Sequence, residues 1–490
     1  MEKKRLCRND AGNYLALAVC FLLMMVITSC FTSPLFPNNL GYDSAIFTLL
    51  GKGILRGKML YVDLFDHKGP VIFYIDALGL ALGGRNGIFL LQCIFGLVNL
   101  ALLYQMGKML RPEKKFASVW ECLFLFIIGY AMFFYTFQRG NHTEEYSLPF
   151  ISACLLLFVK YGLRAEYDPV HPPKYAVAYG VGLAIMAFLR LNNGATIGAG
   201  ILAVAIYLIY RKEFSNLMWN LLAGLLGMAL VTIPILLYYY TNDALDEMIY
   251  ATFLHNFQIA GNTAHFAFSE KPFVFVILYT PMILCAVLML YRIYKTKKVC
   301  FMDVLLAVIL LVNGVALWIA NRYLHYFTLF IPVYIVFLCR YLPINGKKLS
   351  VWVAVVCALF HLMFVGYYTL QSANFVYISK IVTDQYAAAA EGFGRIPEEE
   401  RDSVIGYNVG SADYLAGDIV PCYKYYTLQP TWAITNPNVI PDFMRFVEEE
   451  KPLWVVTLPY EDTPELLRIL EAHYELQFAN EYLEYYRVKQ

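Results

Sequence analysis

The chain has 490 residues, of which 59% are hydrophobic and only 15% are charged. A soluble domain of this size carries about a quarter charged residues, so the composition excludes an ordinary soluble protein. The formal net charge of +1 says nothing about partners, because in a membrane protein the placement of the charges is what matters. Apolar runs of about 18 residues or more recur, each long enough to cross a hydrocarbon core. The fold class predicted is therefore a polytopic α-helical membrane protein.

The apolar runs predict about eleven transmembrane helices. The first follows a basic start and lacks a small-residue cleavage site, so we expect a retained helix and not a signal peptide. The stretch 70–84 is apolar but short and contains Asp76; we expect it to lie as a helix at the outer interface. The predicted spans are 14–31, 87–108, 117–137, 147–163, 175–190, 195–210, 217–240, 273–291, 301–320, 323–342 and 350–369.

Two kinds of connection alternate between these spans. Short basic connections lie at 111–115, 160–174, 211–214, 292–298 and 345–348. Connections rich in acids, histidines and aromatics lie at 32–86, 139–146, 190–194, 241–272 and 321–327. The positive-inside rule places the basic kind and the N-terminus in the cytoplasm. The second kind, including a long first external loop at 32–86, is then predicted outside.

The composition becomes polar from about residue 371 onward. Residues 404–408 and 453–459 have the pattern of short buried strands, and 441–451 and 463–475 have helical spacing. Alternating strands and helices predict a small external α/β domain at 371–490. The membrane region is accordingly assigned to 1–370.

The ionisable side chains of the membrane region concentrate at the outer ends of the spans. They are Asp43, Asp63, Asp66, His67, Lys68, Arg139, His142, Glu144, Glu145, Arg190, His255, His265, Arg322 and His325. A transporter with broken helices around a central site would place such groups at mid-span. The one-sided placement favours an enzyme that acts on a phosphorylated lipid at the outer leaflet.

The stretch FDHKGP at 65–70 is the most concentrated of these groups. Pro70 suits the first position of a helix, which makes Gly69 the N-cap residue. Asp66, His67 and Lys68 are then not needed for capping. They lie beside a helix N-terminus, which favours phosphate binding.

The stretch RGNHTEEY at 139–146 has two interpretations. Glu144 and Glu145 are ordinary first-turn acids of a helix. Together with His142 and Arg139 they equally resemble a ligand or metal site.

Two other external stretches also have both an ordinary and a functional interpretation. Asp43 or Ser44 could simply cap the helix that follows. In NRYLHYF, Arg322 and Tyr326 share a helix face, and His325 lies between them. An isolated arginine would be explained by snorkelling, whereas the added histidine makes an anion site equally plausible.

The first external loop resembles the GT-C class of membrane glycosyltransferases, in the bacterial branch of the protein O-mannosyltransferases and the lipid A aminoarabinose transferase. The resemblance covers roughly 1–370 through sparse motifs, GYDSAIF and YVDLFDHKGP. Members of that branch show a single early acid or an acidic pair, and this chain has Ser44 after Asp43. The positions that fill the pattern are Tyr42, Asp43, Gly51 or Gly53, Gly57, Tyr61 and Asp63.

The resemblance implies an inverting transfer of a sugar from a polyprenyl-phosphate donor to a glycan, lipid or protein acceptor. The reaction would take place on the non-cytoplasmic face of the bacterial inner membrane, with membrane lipids but no nucleic acid as further partners. Carried over by position, Asp43 would be the base that takes the proton of the acceptor hydroxyl. Asp66 is the second-choice acid.

Departure of a polyprenyl phosphate develops charge on phosphate oxygens, which nearby cations stabilise. We expect donor-phosphate contacts from Lys68, Arg139 and Arg322, with help from His67, His325 and Tyr326. The expected contacts to the acceptor or to a divalent cation come from Asp66, Glu144, Glu145, His142 and His255.

Two alternatives remain from other classes. A lipid-linked oligosaccharide transporter would carry ionisable residues at mid-span. A polysaccharide polymerase or ligase would concentrate its chemistry in a late external loop, for which 241–272 with His255 and His265 is the candidate.

Overall fold

The computed structural model describes residues 2–37, 39–111, 136, 139–262, 272–319, 324–342, 383–428, 432–433 and 436–490. The predicted spans 117–137 (apart from Thr136) and 350–369 lie outside these ranges, as do His265 and Arg322. The chain folds as two compact units. Unit 1 contains Met1–Ser29, Leu91–Ile235 and Ala264–Ser372, and unit 2 contains Cys30–Leu90, Leu236–Thr263 and Ala373–Gln490.

The described chain up to residue 342 is almost entirely helical. In chain order, helices α1 to α13 are Glu2–Thr28, Asp43–Leu55, Pro70–Gly83, Arg85–Leu110, Thr143–Gly162, Pro173–Arg190, Ala195–Tyr210, Phe214–Thr241, Leu245–Ile249, His255–Asn262, Pro272–Thr296, Phe301–Ile319 and Ile331–Tyr341. Short 3-10 turns occupy Leu191–Gly194 and Leu324–Phe330, and a π-helical turn occupies Tyr250–Leu254.

Five helical segments of the described chain are long and apolar enough to cross a membrane. They are Ala11–Thr28, Arg85–Leu110, Pro173–Tyr210, Phe214–Thr241 and Phe301–Ile319. The fold class predicted from composition is confirmed, and the chain is a membrane protein. The total of about eleven spans stays a prediction.

The segment Pro173–Tyr210 is two helices and not one. Arg190 has an extended backbone (φ −163°, ψ 116°), which breaks the helix before the 3-10 turn. A Cβ atom on Gly182 of α6 would lie 3.0 Å from Cδ1 of Ile197 in α7. Residues this far apart in sequence meet only because the chain reverses direction, so two helices lie at 175–190 and 195–210 as predicted. That each of them crosses the membrane stays a prediction.

Glycines let two helices of unit 1 approach closely. A Cβ atom on Gly180 of α6 would lie 2.0 Å from the carbonyl oxygen of Gly224 in α8. One on Gly227 would lie 2.1 Å from the carbonyl oxygen of Val177. Small residues at such contacts allow the backbone approach on which helix packing in membranes depends.

Helices α2 and α3 of unit 2 pack against each other. A Cβ atom on Gly51 would lie 2.7 Å from the backbone nitrogen of Ala77. Asp76 is fully buried and accepts a hydrogen bond from Thr48 Oγ1 at 3.0 Å. The expectation that Asp76 lies at a surface is therefore wrong, because α2 covers it and the Thr48 hydroxyl satisfies one of its oxygens.

One guanidinium organises the segment that leads into α2. Arg85 donates to the backbone carbonyls of Cys30, Phe31, Ser33, Phe36 and Asn39 at 2.6 to 3.1 Å. Buried carbonyl groups outside regular structure need hydrogen-bond donors. The Arg85 side chain donates to five such carbonyls. The backbone that leads into α2 is thereby fixed.

The C-terminal region is the predicted α/β domain. It contains a helix at 383–394 (α14), strand β1 Val404–Gly406, helices α15 Ser411–Ala416 and α16 Val439–Glu449, strand β2 Trp454–Thr457, helix α17 Pro464–His473, and strands β3 Tyr474–Ala479 and β4 Glu484–Val488. The sheet order is β1-β2-β4-β3, with β1 parallel to β2 and the other pairs antiparallel.

The predicted helix at 463–475 ends earlier than expected, at His473. Tyr474 begins β3 instead and pairs with Val488 of β4. Its ring is buried and its hydroxyl donates to the carbonyl of Val447 at 3.1 Å. The pairing with β4 overrides the helical spacing, because it buries this tyrosine.

The C-terminal domain is fastened to the first long loop, residues 32–86, within unit 2. Asp418 forms ion pairs with Lys52 of α2 and with Arg56, which directly follows that helix. Arg56 Nη1 also donates to the carbonyl of Asp418 at 3.1 Å, and the backbone N–H of Phe65 donates to the carbonyl of Lys424 at 3.0 Å. The loop that carries FDHKGP is therefore held by residues more than 300 positions later.

Candidate active site

The FDHKGP stretch folds as a turn closed by its own aspartate. Asp66 Oδ1 accepts a hydrogen bond from the backbone N–H of Lys68 at 2.9 Å and lies 3.3 Å from the Lys68 ammonium. Such Asx-type turns are a common use of aspartate. Gly69 is the N-cap of α3 and Pro70 its first residue, as predicted. Asp66 thus has a local structural role that the sequence interpretation did not assign to it.

The acid and the ammonium of this turn are both buried. The Asp66 side chain is 0% exposed and that of Lys68 is 7% exposed. Within the part of the chain that the structure describes, Asp66 Oδ2 has no hydrogen-bond partner. The Lys68 ammonium also lies 5.0 Å from the centre of the Phe47 ring. An ammonium has three donors, and among the described residues the hydrogen bond to Asp66 uses one of them. This pair can therefore still receive an anionic ligand.

Two histidines complete what we call the turn cluster, defined as Asp66, His67, Lys68 and His255. The rings of His67 and His255 lie 5.6 Å apart, and His255 packs on Phe65 at 5.4 Å. Burial lowers the pKa of His255 to about 4. The imidazole is therefore neutral at neutral pH, and its unprotonated nitrogen can accept a hydrogen bond or bind a metal.

The π-helical turn Tyr250–Leu254 immediately precedes His255. Next to it, Asn256 Nδ2 donates to the carbonyl of His67 at 2.6 Å. Turns of this type are frequent at functional sites. Here the turn directly precedes His255 and Asn256, which both contact the FDHKGP segment. These contacts link this part of 241–272 to the turn cluster.

Asp43 is the first residue of α2 and is half-buried. Tyr42 occupies the N-cap position, and no side chain caps the helix there. The capping alternative for Asp43 and Ser44 is therefore wrong. A base must reach its substrate, and Asp43 is more accessible than the fully buried Asp66.

The second group of predicted residues lies in unit 1, at the start of α5. Glu145 Oε1 accepts a hydrogen bond from the backbone N–H of His142 at 3.0 Å. Its Oε2 accepts one from Gln92 Nε2 at 2.8 Å. Glu145 thus serves the helix start and its packing, which is the ordinary interpretation of a first-turn acid.

Glu144 contacts the guanidinium of Arg190. From the sequence, Arg190 was placed at the outer end of a helix and was given no role. Arg190 Nη1 lies 3.4 Å from Glu144 Oε1, while Thr143 Oγ1 donates to Oε2 at 3.0 Å. The Arg190 guanidinium also stacks 4.3 Å from the centre of the Tyr326 ring and donates to its hydroxyl. Tyr326 therefore holds an arginine, and no local pattern around Arg190 predicts these partners.

His142 and His325 stack face to face, with ring centres 4.7 Å apart and planes 2° apart. One nitrogen of each ring and one Glu144 oxygen lie within 4.8 Å of one another, and the three residues are buried. Within the described ranges of the chain, this is the one group of three residues with such ligand spacing. We call His142, Glu144, Arg190, His325 and Tyr326 the helix-start cluster.

Arg139 lies just before this cluster, in an unusual backbone. Arg139, Gly140 and Asn141 have φ angles of 77°, 90° and 59°. Consecutive residues of positive φ are costly outside glycine and occur where the surroundings enforce them. Arg139 thus lies in a constrained turn just before α5, and its predicted phosphate contact remains a prediction.

The fold is similar to that of solved GT-C membrane proteins. The structure is similar to ArnT from Cupriavidus metallidurans bound to undecaprenyl phosphate, with a TM-score of 0.60 and 12% identity over 97% of this chain and 98% of that chain. The same values hold for that protein in the apo state. No family model and no curated protein sequence matches the chain.

The archaeal oligosaccharyltransferase AglB from Archaeoglobus fulgidus, in complex with an inhibitory peptide and a dolichol-phosphate, is similar with a TM-score of 0.49. The identity is 16%, over 91% of this chain and 69% of that chain. The likeness to ArnT over nearly all of both chains shows that this chain has the GT-C fold. The resemblance seen in the first external loop is thus confirmed for the fold.

Proposed function

We propose that the protein is a glycosyltransferase that moves a sugar from a polyprenyl-phosphate donor to an acceptor on the non-cytoplasmic face of a bacterial inner membrane. The observation that supports this most is the turn cluster. It places a buried acid, an ammonium and two imidazoles beside the N-terminus of α3, in a chain with the GT-C fold. That combination suits a phosphate, because cations and helix N-termini both stabilise its charge.

In this proposal Asp43 is the base. Its half-buried position at the start of α2 lets it meet an acceptor hydroxyl, and the inverting reaction needs a single carboxylate to take the proton as the sugar carbon is attacked. Lys68 holds the departing phosphate, whose negative charge grows as the bond to the sugar breaks. His67 assists it, and Asp66 keeps Lys68 in place.

The helix-start cluster has a separate part in the proposal. Arg190, fixed by Glu144 and Tyr326, presents a guanidinium at the start of α5. We assign to Glu144, His142 and His325 the handling of a polar ligand, either acceptor or ion. Glu145 is left out of the chemistry because both of its oxygens accept hydrogen bonds from the helix start and from Gln92.

The test is the release of polyprenyl phosphate by purified protein in detergent, with a panel of polyprenyl-phosphate sugars and acceptors. For Asp43→Asn we expect a loss of turnover of about 10²–10⁴-fold, the usual contribution of a general base. Donor binding should remain, since the substitution keeps the size of the side chain.

The matched control is Asp243→Asn. Asp243 is exposed and has a φ of 52°, a conformation that asparagine also tolerates. Its turnover should equal that of the wild type. Equal release by wild type and Asp43→Asn would remove Asp43 as the base, and no release with any donor would overturn the proposed function.

A further inference from the structure

We propose that the C-terminal domain selects the donor sugar through what we call the hydroxyl site, defined as Asp66, Ser411 and Tyr426. The site binds one hydroxyl group of an uncharged sugar that is carried on the polyprenyl phosphate. This assignment rests on the proposed function, because it concerns the sugar next to the phosphate that Lys68 would hold. It goes beyond that function by naming the class of sugar and by giving the C-terminal domain a part in choosing it.

Three buried polar atoms of unit 2 have no hydrogen-bond partner among the residues that the structure describes. They are Asp66 Oδ2, Ser411 Oγ and the hydroxyl oxygen of Tyr426. Asp66 and Tyr426 are 0% exposed and Ser411 is 5% exposed. Leaving a buried polar group unpaired costs stability, so three such groups in one place point to a polar ligand group that binds between them.

The backbone brings Tyr426 next to Asp66. The Phe65 N–H donates to the carbonyl of Lys424 at 3.0 Å, which places the residues that follow in each segment close to the other segment. The ring centre of Trp432 lies 5.4 Å from that of Phe65 and 5.9 Å from that of Tyr426. Burial and then the negative charge of Asp66 raise the pKa of Tyr426 well above its ordinary value, and a charge acts in this way only at short range.

Ser411 and Tyr42 lie near the same hydroxyl. After burial and Asp66, the groups that act on the pKa of Tyr426 include Ser411, which lowers it as a hydrogen-bond donor, and Tyr42, which raises it. The Ser411 and Tyr426 oxygens do not reach hydrogen-bonding geometry with each other, so one ligand oxygen between them can serve both. Tyr42 is 67% exposed and precedes the proposed base Asp43. The hydroxyl site therefore adjoins the surface beside the start of α2.

The charges around the site select an uncharged hydroxyl. Lys68 Nζ lies 3.3 Å from Asp66 Oδ1, so the pair is close to neutral as a whole. A second anion would be repelled by Asp66 Oδ2, and the ammonium of an amino sugar would be repelled by Lys68. A hydroxyl avoids both costs, because it can donate to Asp66 Oδ2 and accept from Tyr426 or Ser411.

The two oxygens of the Asp66 carboxylate have different partners in this arrangement. Oδ1 contacts Lys68, which would hold the phosphate, and Oδ2 belongs to the hydroxyl site. The sugar of a polyprenyl-phosphate donor is bonded directly to the phosphate, so its hydroxyls lie close to a phosphate bound at Lys68. One donor molecule can therefore contact Lys68 and the hydroxyl site at the same time.

The experiment combines protein variants with donor analogues, using the full chain in detergent. The reference donor is whichever of polyprenyl-phosphate glucose, mannose and galactose binds the wild type most tightly. It is compared with its monodeoxy analogues, with an analogue that carries an amine in place of the recognised hydroxyl, and with polyprenyl phosphate that has no sugar. Dissociation constants are measured for every pair of protein and probe.

We expect the wild type to bind one monodeoxy analogue about 10-fold more weakly than the reference donor, and the amino analogue more weakly still. Tyr426→Phe should weaken the reference donor about 3–10-fold and leave polyprenyl phosphate unchanged. It should also lose most of the discrimination against that monodeoxy analogue, because the variant and the analogue remove the same contact. Ser411→Ala should show the same pattern.

The matched control is Tyr485→Phe. Tyr485 is a fully buried tyrosine of the same domain, and its ring packs on Phe393 and Phe478. This variant should bind every probe as the wild type does. Tyr426→Phe removes a hydroxyl that makes no hydrogen bond within the described chain and keeps the ring, so it should fold, and thermal unfolding of both variants checks this.

Several results would overturn the hydroxyl site. Equal affinity of the wild type and Tyr426→Phe for the reference donor would mean that bridging water alone serves these groups. Equal weakening of the reference donor and of sugar-free polyprenyl phosphate would show a general effect on the fold, and tighter binding of the amino analogue would exclude an uncharged sugar. Release of polyprenyl phosphate is assayed separately. Turnover by the wild type with no effect of Tyr426→Phe refutes the site alone, whereas no binding and no turnover with any donor refutes the proposed function as well.

Discussion

At the scale of single residues, the decisive feature is the buried pair of Asp66 and Lys68. Their side chains are 0% and 7% exposed. Removing one partner of a buried pair leaves an uncompensated charge, whereas removing both often costs little. This difference separates the structural role of Lys68 from its proposed role toward phosphate.

We predict that Lys68→Met lowers the free energy of unfolding by about 3 kcal/mol because it leaves Asp66 buried and unpaired. The double variant Asp66→Asn with Lys68→Met should recover most of this loss, as measured by thermal unfolding in detergent. Its affinity for the polyprenyl-phosphate donor should stay low. Recovery of donor affinity together with stability would show that Lys68 serves the fold alone.

A second residue gives a pH prediction in the C-terminal domain. Burial raises the pKa of the Asp413 carboxyl to about 6, although it accepts hydrogen bonds from Gly410 and Gln385. Because this value lies above the ordinary one, the stabilising contribution of Asp413 is complete below about pH 4 and is lost as the pH rises through 6.

Asp413→Asn stays neutral at every pH and can still accept one of the two hydrogen bonds. We therefore expect the stability of this variant relative to the wild type to rise between pH 4 and pH 7 by about 2 kcal/mol. Unfolding curves of both proteins across this range provide the measurement. A difference that stays constant with pH would contradict the raised pKa.

At the scale of elements, the contact between α6 and α8 depends on the absence of side chains. A Cβ atom on Gly180 would lie 2.0 Å from a backbone oxygen, so a larger residue must push the helices apart. For Gly180→Val we predict a loss of several kcal/mol in stability and a lower yield of folded protein. Gly198→Val is the control, since nothing lies within 4 Å of its Cβ position. Equal losses in both variants would point to helix propensity instead of packing.

The elements also show what can be predicted from sequence. The helices Ala195–Tyr210 and Phe214–Thr241 lie within a few residues of their predicted spans, because a long apolar run has few other solutions in a membrane. Strands β3 and β4 were not predicted. Residues Tyr474–Ala479 follow a helix directly and continue its spacing through Tyr474, and the pairing with β4 makes them a strand.

The site was predictable to the extent that its signals are local. Gly69 and Pro70 define the start of α3, so the position of Asp66, His67 and Lys68 just ahead of the helix could be inferred from six residues. Arg190 finds its partners 46 and 136 positions away. No local pattern encodes such distances, which is why its role emerged only from the fold.

At the scale of the whole molecule, unit 2 assembles three segments that are distant in sequence, namely Cys30–Leu90, Leu236–Thr263 and Ala373–Gln490. We predict that a chain ending after residue 382 keeps its membrane helices but exposes the first loop, because the loop loses Asp418 and Lys424 as partners. Limited proteolysis with mass spectrometry should then find new cleavage within 43–69. Unchanged protection of that loop would show that it folds without the C-terminal domain.

The distance between Phe65 and its partner Lys424 also sets the order of events during synthesis. Synthesis proceeds at about 5–20 residues per second. Phe65 therefore leaves the ribosome tens of seconds before Lys424, whose carbonyl accepts the Phe65 N–H hydrogen bond. Throughout that interval the Phe65 ring is not covered by Trp432, on which it packs in the folded protein with ring centres 5.4 Å apart. The first loop of the nascent protein is thus accessible to proteases and chaperones early in synthesis. A mutation that disrupts the C-terminal domain would therefore destabilise the first loop.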